Sequence, residues 1–367
     1  MQKKLLALAV AGVLAAPAVA MAQSAVTISG VFKTSLDNYS ISSPSAARAG
    51  LNTSETRITD NSSRLIFGIT EDIGGGMAGI AQVDMRLNTD TGALAASGNT
   101  WVGIRGNSWG TVTLGRHDLH YGKQPDDIAV KAGALQAASV SLMDFVANGS
   151  TAIAGATRTN NVLRYDSPNW SGFAFTAAYS TNPTGQEADL TSGVRKGNAW
   201  NFNPTYTANN FGVGWSYWNQ KADAGGALSD QKSNVFYGYW TGGGFKVGAA
   251  INQSKVENGT TGAVQFDRRA WTIPVSWTSG SHNIYAHYTK AGKDKVVGDG
   301  SDARMVALAY VYDLSKRTSV GLTYAQISNN ANAAYNFFTN STFGGAGNTP
   351  NAGEDPRLLA LTLRHAF

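Results

Sequence analysis

The feature of this sequence that most limits its fold is an alternation of apolar and polar residues that recurs in sixteen segments of about six to eleven residues. Residues that alternate in this way point to opposite faces of a β-strand. In the last segment, Leu361 and Leu363 fall on one face, whereas Thr362 and Arg364 fall on the other. The pattern therefore predicts sixteen two-faced strands. They start near Val26, Arg64, Met77, Thr100, Thr111, Asn161, Phe173, Ala199, Phe211, Asn234, Phe245, Asp267, His282, Arg304, Thr318 and Arg357.

The connections between these segments alternate between short and long, which the residue pattern does not by itself require. The short links are rich in glycine and asparagine, and they include residues 73–76, 207–210, 242–244 and 278–281. The long links are polar and lie at about 37–63, 118–160, 180–198 and 328–356. Short turns at one end and long loops at the other are typical of an outer-membrane barrel.

The absence of long apolar runs narrows the architecture further. After residue 22, no stretch approaches the roughly 18 apolar residues of a membrane-spanning helix. Lipid offers no hydrogen-bond partners, so a membrane-spanning sheet must close on itself to pair every strand. We therefore predict an all-β, 16-stranded antiparallel transmembrane β-barrel with short periplasmic turns and long outer loops. Sixteen tilted strands would leave an aqueous lumen. A periplasmic β-sandwich or β-helix is the alternative, but it leaves the loop asymmetry unexplained.

The N-terminus has the features of a cleavable secretory signal. Lys3 and Lys4 precede an apolar run over residues 5–19, and the small-residue site Ala20-Met21-Ala22 follows. We expect residues 1–22 to be removed and residues 23–367 to form a single barrel domain.

Composition excludes several other classes of protein. The formal net charge is only +5, and the basic residues are scattered singly, which disfavours a nucleic-acid partner. The chain has no cysteine, so it contains no disulfide, zinc-thiolate site or thiol nucleophile. Its 42 glycines, 9 tryptophans and 14 tyrosines suit many short strands with aromatic rings near a membrane interface.

Three motifs that suggest chemistry have simpler explanations. The G-x-S-x-G pattern at 106–110 and the G-x-G-x-x-G pattern at 74–79 would each need a following helix, but an alternating segment follows both. His117 and His120 have no third metal ligand at a defined spacing. We therefore predict that the chain is not an enzyme and has no cofactor or metal site.

Six stretches, in order along the chain, resemble the Gram-negative general porins of neisserial and burkholderial type. They are VTISGV at 26–31, SRL at 63–65 leading to EDIGGG at 71–76, VTLGR at 112–116, LRYDSP at 163–168, LSKRT at 314–318 and LRHAF at 363–367. The resemblance implies a homotrimer of barrels, each with a pore narrowed by an inward-folded third loop at about 118–160. It also implies that Phe367 is recognised by the barrel assembly machinery. Outer-membrane lipid and lipopolysaccharide would surround the rim.

Alternation also predicts which charged residues face the lumen. If Ile28 and Phe32 face lipid, Lys33 faces inward, and the same reasoning turns further charges inward. These are Arg64, Asp84, Arg86, Arg158 and Arg164. The resemblance implies that Arg64, Arg158 and Arg164 form a cluster opposite acids of the third loop, which would be Asp126, Asp127 and Asp144.

The chain departs from the family pattern in ways that make the predicted lumen more basic. Lys33 and Arg86 stand where relatives often carry acids, and Asn99 stands where an arginine is common. These features predict passive diffusion of small hydrophilic solutes and ions through a pore with mild anion preference. A channel specific for phosphate, organic acids or sugars remains an alternative, as does a non-conducting adhesin or structural barrel.

Overall fold

A single antiparallel sheet, closed on itself, contains all seventeen described strand segments. The computed structural model describes residues 25–94, 98–125, 128–144, 156–183, 197–221, 229–338 and 350–367. The strands are β1 Ala25–Ile41, β2 Ser54–Asp60, β3 Ser63–Gly74, β4 Met77–Leu87, β5 Thr100–Gly106, β6 Gly110–His117, β7 Thr159–Asp166, β8 Phe173–Ser180, β9 Asn198–Ala208, β10 Phe211–Lys221, β11 Ser229–Gly242, β12 Phe245–Asn258, β13 Val264–Ser279, β14 His282–Ala291, β15 Ala303–Asp313, β16 Thr318–Asn329 and β17 Pro356–Ala366.

The seventeen segments form sixteen strands of the barrel wall. Both β2 and β3 pair with β1, one after the other along its length. They are separated only by Asn61 and Ser62, and Ser62 has a positive φ of 70° that interrupts the strand. The predicted 16-stranded antiparallel barrel is confirmed.

The barrel closes along a seam between β1 and β17, which pair antiparallel from Val31 and Ala366 to Ile41 and Pro356. Beyond this ladder, the backbones of Gly30 and Phe367 exchange two hydrogen bonds of 3.2 Å. A Cβ on Gly30 would lie 2.7 Å from the Phe367 ring, so the close approach requires glycine. The first and last strands of the chain are therefore neighbours in one continuous wall.

The first loop, residues 42–53, and the eighth loop, residues 330–355, are joined across the loop end of this seam. Arg48 lies in a 3₁₀ turn, Ala46–Arg48, of the first loop, and its guanidinium is 2.6 Å from a carboxylate oxygen of Glu354 in the eighth loop. Both side chains are buried. Burial opposes ionisation of Glu354, but Arg48 and donors from Ser45 and Asn351 together hold its pKa well below the usual range. This ion pair fixes the eighth loop to the first.

Side chains on the wall alternate as the sequence predicts. On β17, Leu359, Leu361 and Leu363 are about half exposed on the outward face, whereas Thr362 is buried on the inward face. The same alternation runs along the whole of β15. Apolar outward residues are what a lipid environment requires.

The predicted connections are mostly confirmed. The G-x-S-x-G motif lies at a turn between β5 and β6, and a strand follows it. The long link predicted at 37–63 is wrong, because β1 continues to Ile41 and Ser54–Asp60 is a strand. Only one residue of β2, Ile58, is exposed and apolar, so its sequence lacks a strong strand signal. The predicted signal peptide lies outside the described residues.

Helical structure in the described residues is slight. Besides Ala46–Arg48, it comprises a 3₁₀ turn at Leu135–Ala137 and one α-helical turn, α1, at Val140–Met143. None of these helices has the length and apolar character needed to cross a bilayer.

The assignment of the two faces can be tested on β15. Leu308 is exposed on its outward face. We expect Leu308→Arg to lower the free energy of unfolding by about 2–4 kcal/mol, because a guanidinium on the lipid face must leave water. Urea unfolding in phospholipid vesicles measures this loss. The matched control is Thr205→Arg on the inward face of β9, which should cost clearly less; equal losses would contradict the assignment.

Candidate functional site

The described parts of the third loop, residues 118–125, 128–144 and 156–158, lie inside the barrel. Leu142 and Ala134 of the loop belong to one buried cluster with Ala309 of β15, Ala325 of β16 and Ala360 of β17. These wall residues are small and point inward, so the loop can approach the sheet closely and fill the space that larger side chains would occupy. The predicted inward-folded third loop is therefore present in the structure.

Hydrogen bonds fix the loop to several strands in turn. Its backbone N–H groups at Ala134 and Leu135 donate to the side chains of Thr323 and Asn61, at 3.0 and 2.8 Å. Both ring nitrogens of His120 are 2.8 Å from serine hydroxyls, those of Ser216 on β10 and Ser233 on β11. Because these groups are buried, each lost bond would leave an unsatisfied polar atom. The loop is a firmly anchored part of the barrel interior.

Lys33 joins this loop to the first strand, β1. Its side chain is almost wholly buried on the inward face of β1, and its ammonium donates to the carbonyl of Ala129 at 2.7 Å. Arg364 is its register partner on β17, and Arg64 also lies close enough to act on it electrostatically. Lys33 therefore faces inward as predicted, and it also supports the loop.

Arg64 and Arg86 are direct register partners on β3 and β4. Asp84 lies between them, with a carboxylate oxygen 3.1 Å from Arg86 and 3.9 Å from Arg64. Arg86 also donates to the hydroxyl of Ser62. Arg64 keeps about a third of its side chain exposed, 34%, whereas Asp84 is buried. One carboxylate thus faces two guanidinium groups. We call Lys33, Arg64, Arg86 and Arg364 the basic wall.

Asp118 and Arg158 lie at the two ends of the third loop and meet there. The carboxylate of Asp118 accepts the backbone N–H of Arg158 at 2.7 Å and the hydroxyl of Thr157 at 2.9 Å. Both residues lie close enough to Arg64 to interact with it electrostatically. Arg158 has a positive φ of 48°, and a register shift interrupts the β6–β7 pairing. Counting alternate residues back from Arg164 therefore does not determine where Arg158 points, although the structure does bring it near Arg64.

Arg164 is engaged differently from the other arginines. It makes a two-pronged ion pair with Asp166 of the same strand, with both N–O distances 2.8 Å. Thr176 donates to the same carboxylate. A bidentate pair largely cancels the charge of Arg164 at a distance.

Of the three acids predicted to face the arginines, the structure describes only Asp144. Asp144 is a buried residue of the third loop, and its carboxylate accepts from the backbone N–H of Gly122 and from the amide of Asn252 on β12, both at 3.1 Å. It does not face the arginines across open water, because its oxygens are used to attach the loop to the wall. Asp126 and Asp127 lie outside the described residues.

Burial changes the acidity of Asp144. Loss of water around the carboxyl raises its pKa to about 6, against the opposing effects of the Gly122 N–H, the positive charge of Arg268 and the Asn252 amide. In mildly acidic solution the Asp144 carboxyl is therefore protonated in a substantial fraction of the molecules.

The two loop-end histidines do not converge. The His117 ring stacks on Trp101 and lies 3.1 Å from the hydroxyl of Thr113, whereas His120 is held between two serines. Within the described ranges, no three His, Asp or Glu side chains are grouped to hold a metal ion.

Sequence reasoning missed two charged residues of the constriction. Asp118 is the first residue of the third loop, and a single acid beside a histidine gave no signal of its own. Alternation predicts that Arg364 faces inward, but its position beside Lys33 depends on the β1–β17 register, which the sequence does not show.

A closed barrel with polar and charged residues lining a lumen, and a loop folded across it, defines a water-filled diffusion channel. Residues 7–332 match the family described as Gram-negative porin. The chain belongs to this family, and it is a pore of the Gram-negative outer membrane through which small hydrophilic solutes diffuse.

Two relatives can be aligned with this chain over nearly its whole length. It is similar to outer membrane porin protein 32 of Delftia acidovorans, with 27% identity covering 100% of both chains. It is also similar to an outer membrane porin protein of Bordetella pertussis, with 24% identity covering 95% of this chain and 99% of the relative.

Among solved structures, the anion-selective porin from Comamonas acidovorans has a TM-score of 0.77 and 21% identity, covering 94% of this chain and 100% of that one. The trimer form of OmpT from Vibrio cholerae has a TM-score of 0.66 and 14% identity, covering 94% of this chain and 99% of that one. At these identities the likeness concerns the fold.

The raised pKa of Asp144 predicts how stability depends on pH. Between the ordinary aspartate pKa and about 6, the folded protein binds a proton that the unfolded chain releases. The contribution of this carboxyl to stability therefore increases as the pH falls through 6, and it levels off below the ordinary value. Melting temperatures of the wild type and of Asp144→Asn between pH 4 and 8 measure this. The wild type should gain relative to the variant on acidification, and a constant difference would contradict the prediction.

Proposed function

We propose that this channel favours anions over cations. The observation that carries the proposal is the excess of positive charge at the basic wall. Its four inward-facing cations lie on adjoining strands and, with Arg158 nearby, outnumber the acids that act on them, which are Asp60, Asp84 and Asp118. A residual positive potential in a narrow aqueous passage raises the local concentration of anions and excludes cations. Arg158 adds to this potential, whereas Arg164 is neutralised by Asp166.

The proposed solutes are small, hydrophilic and preferably anionic, because a diffusion channel selects solutes only by their size and charge. A channel specific for phosphate, organic acids or sugars would show conductance block that saturates with that solute. Concentration-independent conductance ratios in mixed salts would support simple diffusion instead.

We also propose that the barrel works as a homotrimer. Exposed aromatic side chains are concentrated on the outward faces of β8–β15, the aromatic sector. The outward faces of β16, β17 and β1–β6, the aliphatic sector, carry mainly leucine, isoleucine and valine. Aromatic rings prefer the lipid headgroup region, so the aliphatic sector is better suited to contact a second copy.

Two further partners are proposed, the barrel assembly machinery at the seam and lipopolysaccharide at the loop end. Phe367 is proposed as the residue that the barrel assembly machinery recognises. In the folded chain its ring packs 5.7 Å from Phe32 and its backbone pairs with Gly30, so recognition would precede closure. The loop end is proposed to face outward, where lipopolysaccharide would surround the rim.

The ion preference can be tested on the basic wall. We expect Arg64→Gln with Arg86→Gln to lower the anion-to-cation permeability ratio, because Asp84 would then face the lumen without its cations. The reversal potential in a planar bilayer under a salt gradient measures the ratio. The matched control is Lys293→Gln, which removes an exposed lysine of the seventh loop, residues 292–302 between β14 and β15. An unchanged potential in the double variant, or an equal shift in the control, would contradict the proposal.

The trimer interface can be tested with one substitution in each sector. Leu361 of β17 and Leu308 of β15 are both half exposed and outward-facing. We expect Leu361→Arg to release monomers, because a charge in the aliphatic sector would be buried between copies, whereas Leu308→Arg should remain trimeric. Sedimentation in detergent measures the assembly state. Trimers in both variants would place the interface elsewhere.

A further inference from the structure

The first part of the eighth loop turns back into the barrel. Residues 330–338, which we call the loop-8 insert, follow β16 directly. Within it Ala333, Ala334, Tyr335 and Phe337 are at most 2% exposed, as deeply buried as the core of the third loop. An outer loop with no role inside the barrel would leave such aromatic rings near solvent, so their burial points to a position in the lumen.

The insert packs directly on the third loop. The backbone N–H of Phe338 donates to the hydroxyl of Ser141 in α1 at 2.6 Å, and its ring lies 5.9 Å from that of Tyr121. The ring of Phe337 meets Tyr39 of β1 edge to face at 6.3 Å. The insert therefore reaches from β16 across to both the third loop and the first strand.

Arg268 of β13 binds both loops at once. This guanidinium is buried, and it donates to the hydroxyl of Tyr335 in the insert at 2.7 Å and to the carbonyl of Met143 in the third loop at 3.0 Å. It also lies over the rings of Phe266 and Tyr335, at 5.1 and 5.3 Å from their centroids. A planar cation with several fixed donors can hold two segments in one geometry, which a lysine could not do equally well.

The base of the insert is held just as firmly. The side chain of Asn329 accepts from the backbone of Tyr335 at 2.9 Å and donates to its carbonyl at 3.0 Å, so the chain is closed into a tight bend. Gly353, on the returning side of the eighth loop, donates to Ala333 at 2.9 Å. The adjacent Glu354 carries the ion pair to Arg48. The insert is thus attached at its stem as well as at its tip.

We propose that the loop-8 insert is a second size-determining element of the channel, interlocked with the third loop through Arg268. This inference rests on the channel function. The two loops together occupy the lumen in front of β13–β17, so solutes pass along the basic wall. Residues 331–338 carry no charged side chain. The insert therefore limits the cross-section of the passage without setting the sign of its ion preference.

The test uses the full-length trimer and two readouts that size and charge affect differently. In the triple variant Tyr335→Ala, Phe337→Ala, Phe338→Ala, we expect single-channel conductance to rise roughly 1.5-fold or more, because conductance follows the open cross-section. Swelling of proteoliposomes in sugars of increasing size should show a higher exclusion limit. The reversal potential in a salt gradient should stay at the wild-type value. The matched control is Val296→Ala with Val297→Ala, two exposed apolar residues of the seventh loop, which should change none of these.

A second variant keeps the proposal open to refutation if the triple variant does not fold. Arg268→Gln leaves the aromatic rings in place but removes the shared guanidinium, and it should raise conductance and the exclusion limit in the same direction. Wild-type conductance and exclusion in folded trimers of either variant would overturn the proposal. So would a shift in reversal potential in the triple variant, which changes no charged residue, since that would mean that the charged constriction itself had changed. A wild-type protein that inserts without conducting would instead refute the channel function.

Discussion

Closure of the sheet is the constraint on which the rest of this structure depends. Because lipid cannot hydrogen-bond to a free strand edge, the wall is stable in a membrane only when β1 pairs with β17. Closure also creates an inside. Once the wall is continuous, alternate residues of every strand face either lipid or lumen, and the long loops are gathered at one end, from which the third loop and the loop-8 insert fold inward.

The lumen is divided by side-chain size and charge. In front of β15–β17 the wall consists largely of small residues such as Ala307, Ala309 and Ala360, and the apolar side of the third loop lies on it. The basic wall on β1, β3, β4 and β17 instead carries long cations, which with Arg158 outnumber the neighbouring acids Asp60, Asp84 and Asp118. Apolar packing therefore fills one side of the lumen, while water and charge are left on the other, and the two sides meet where Lys33 donates to the third loop.

Much of the fold could be predicted from the sequence, because a residue facing lipid and a residue facing water differ strongly in polarity. The pattern failed where this contrast is weak. The sequence predicts a loop where β2 lies, since Ile58 is the only exposed apolar residue of that strand. The inward charges at Lys33, Arg64, Asp84 and Arg86 followed from alternation, but their partners depend on register across strands far apart in sequence. Asp144 shows the limit most clearly: an acid in the third loop could face the pore or anchor the loop, and only the packing around it decides.

The seam has a consequence for the order of folding. Its fastenings, the Gly30–Phe367 backbone pair at one end and the Arg48–Glu354 pair at the other, join residues more than three hundred positions apart. Contacts of this separation carry the largest loop-closure entropy in the chain and form slowly. The hairpins between neighbouring strands can form earlier, but the wall cannot close until β17 has been synthesised and exported to pair with β1. The barrel therefore closes only after β17 has been translated. Until then, both edges of the open sheet need protection from pairing with other chains.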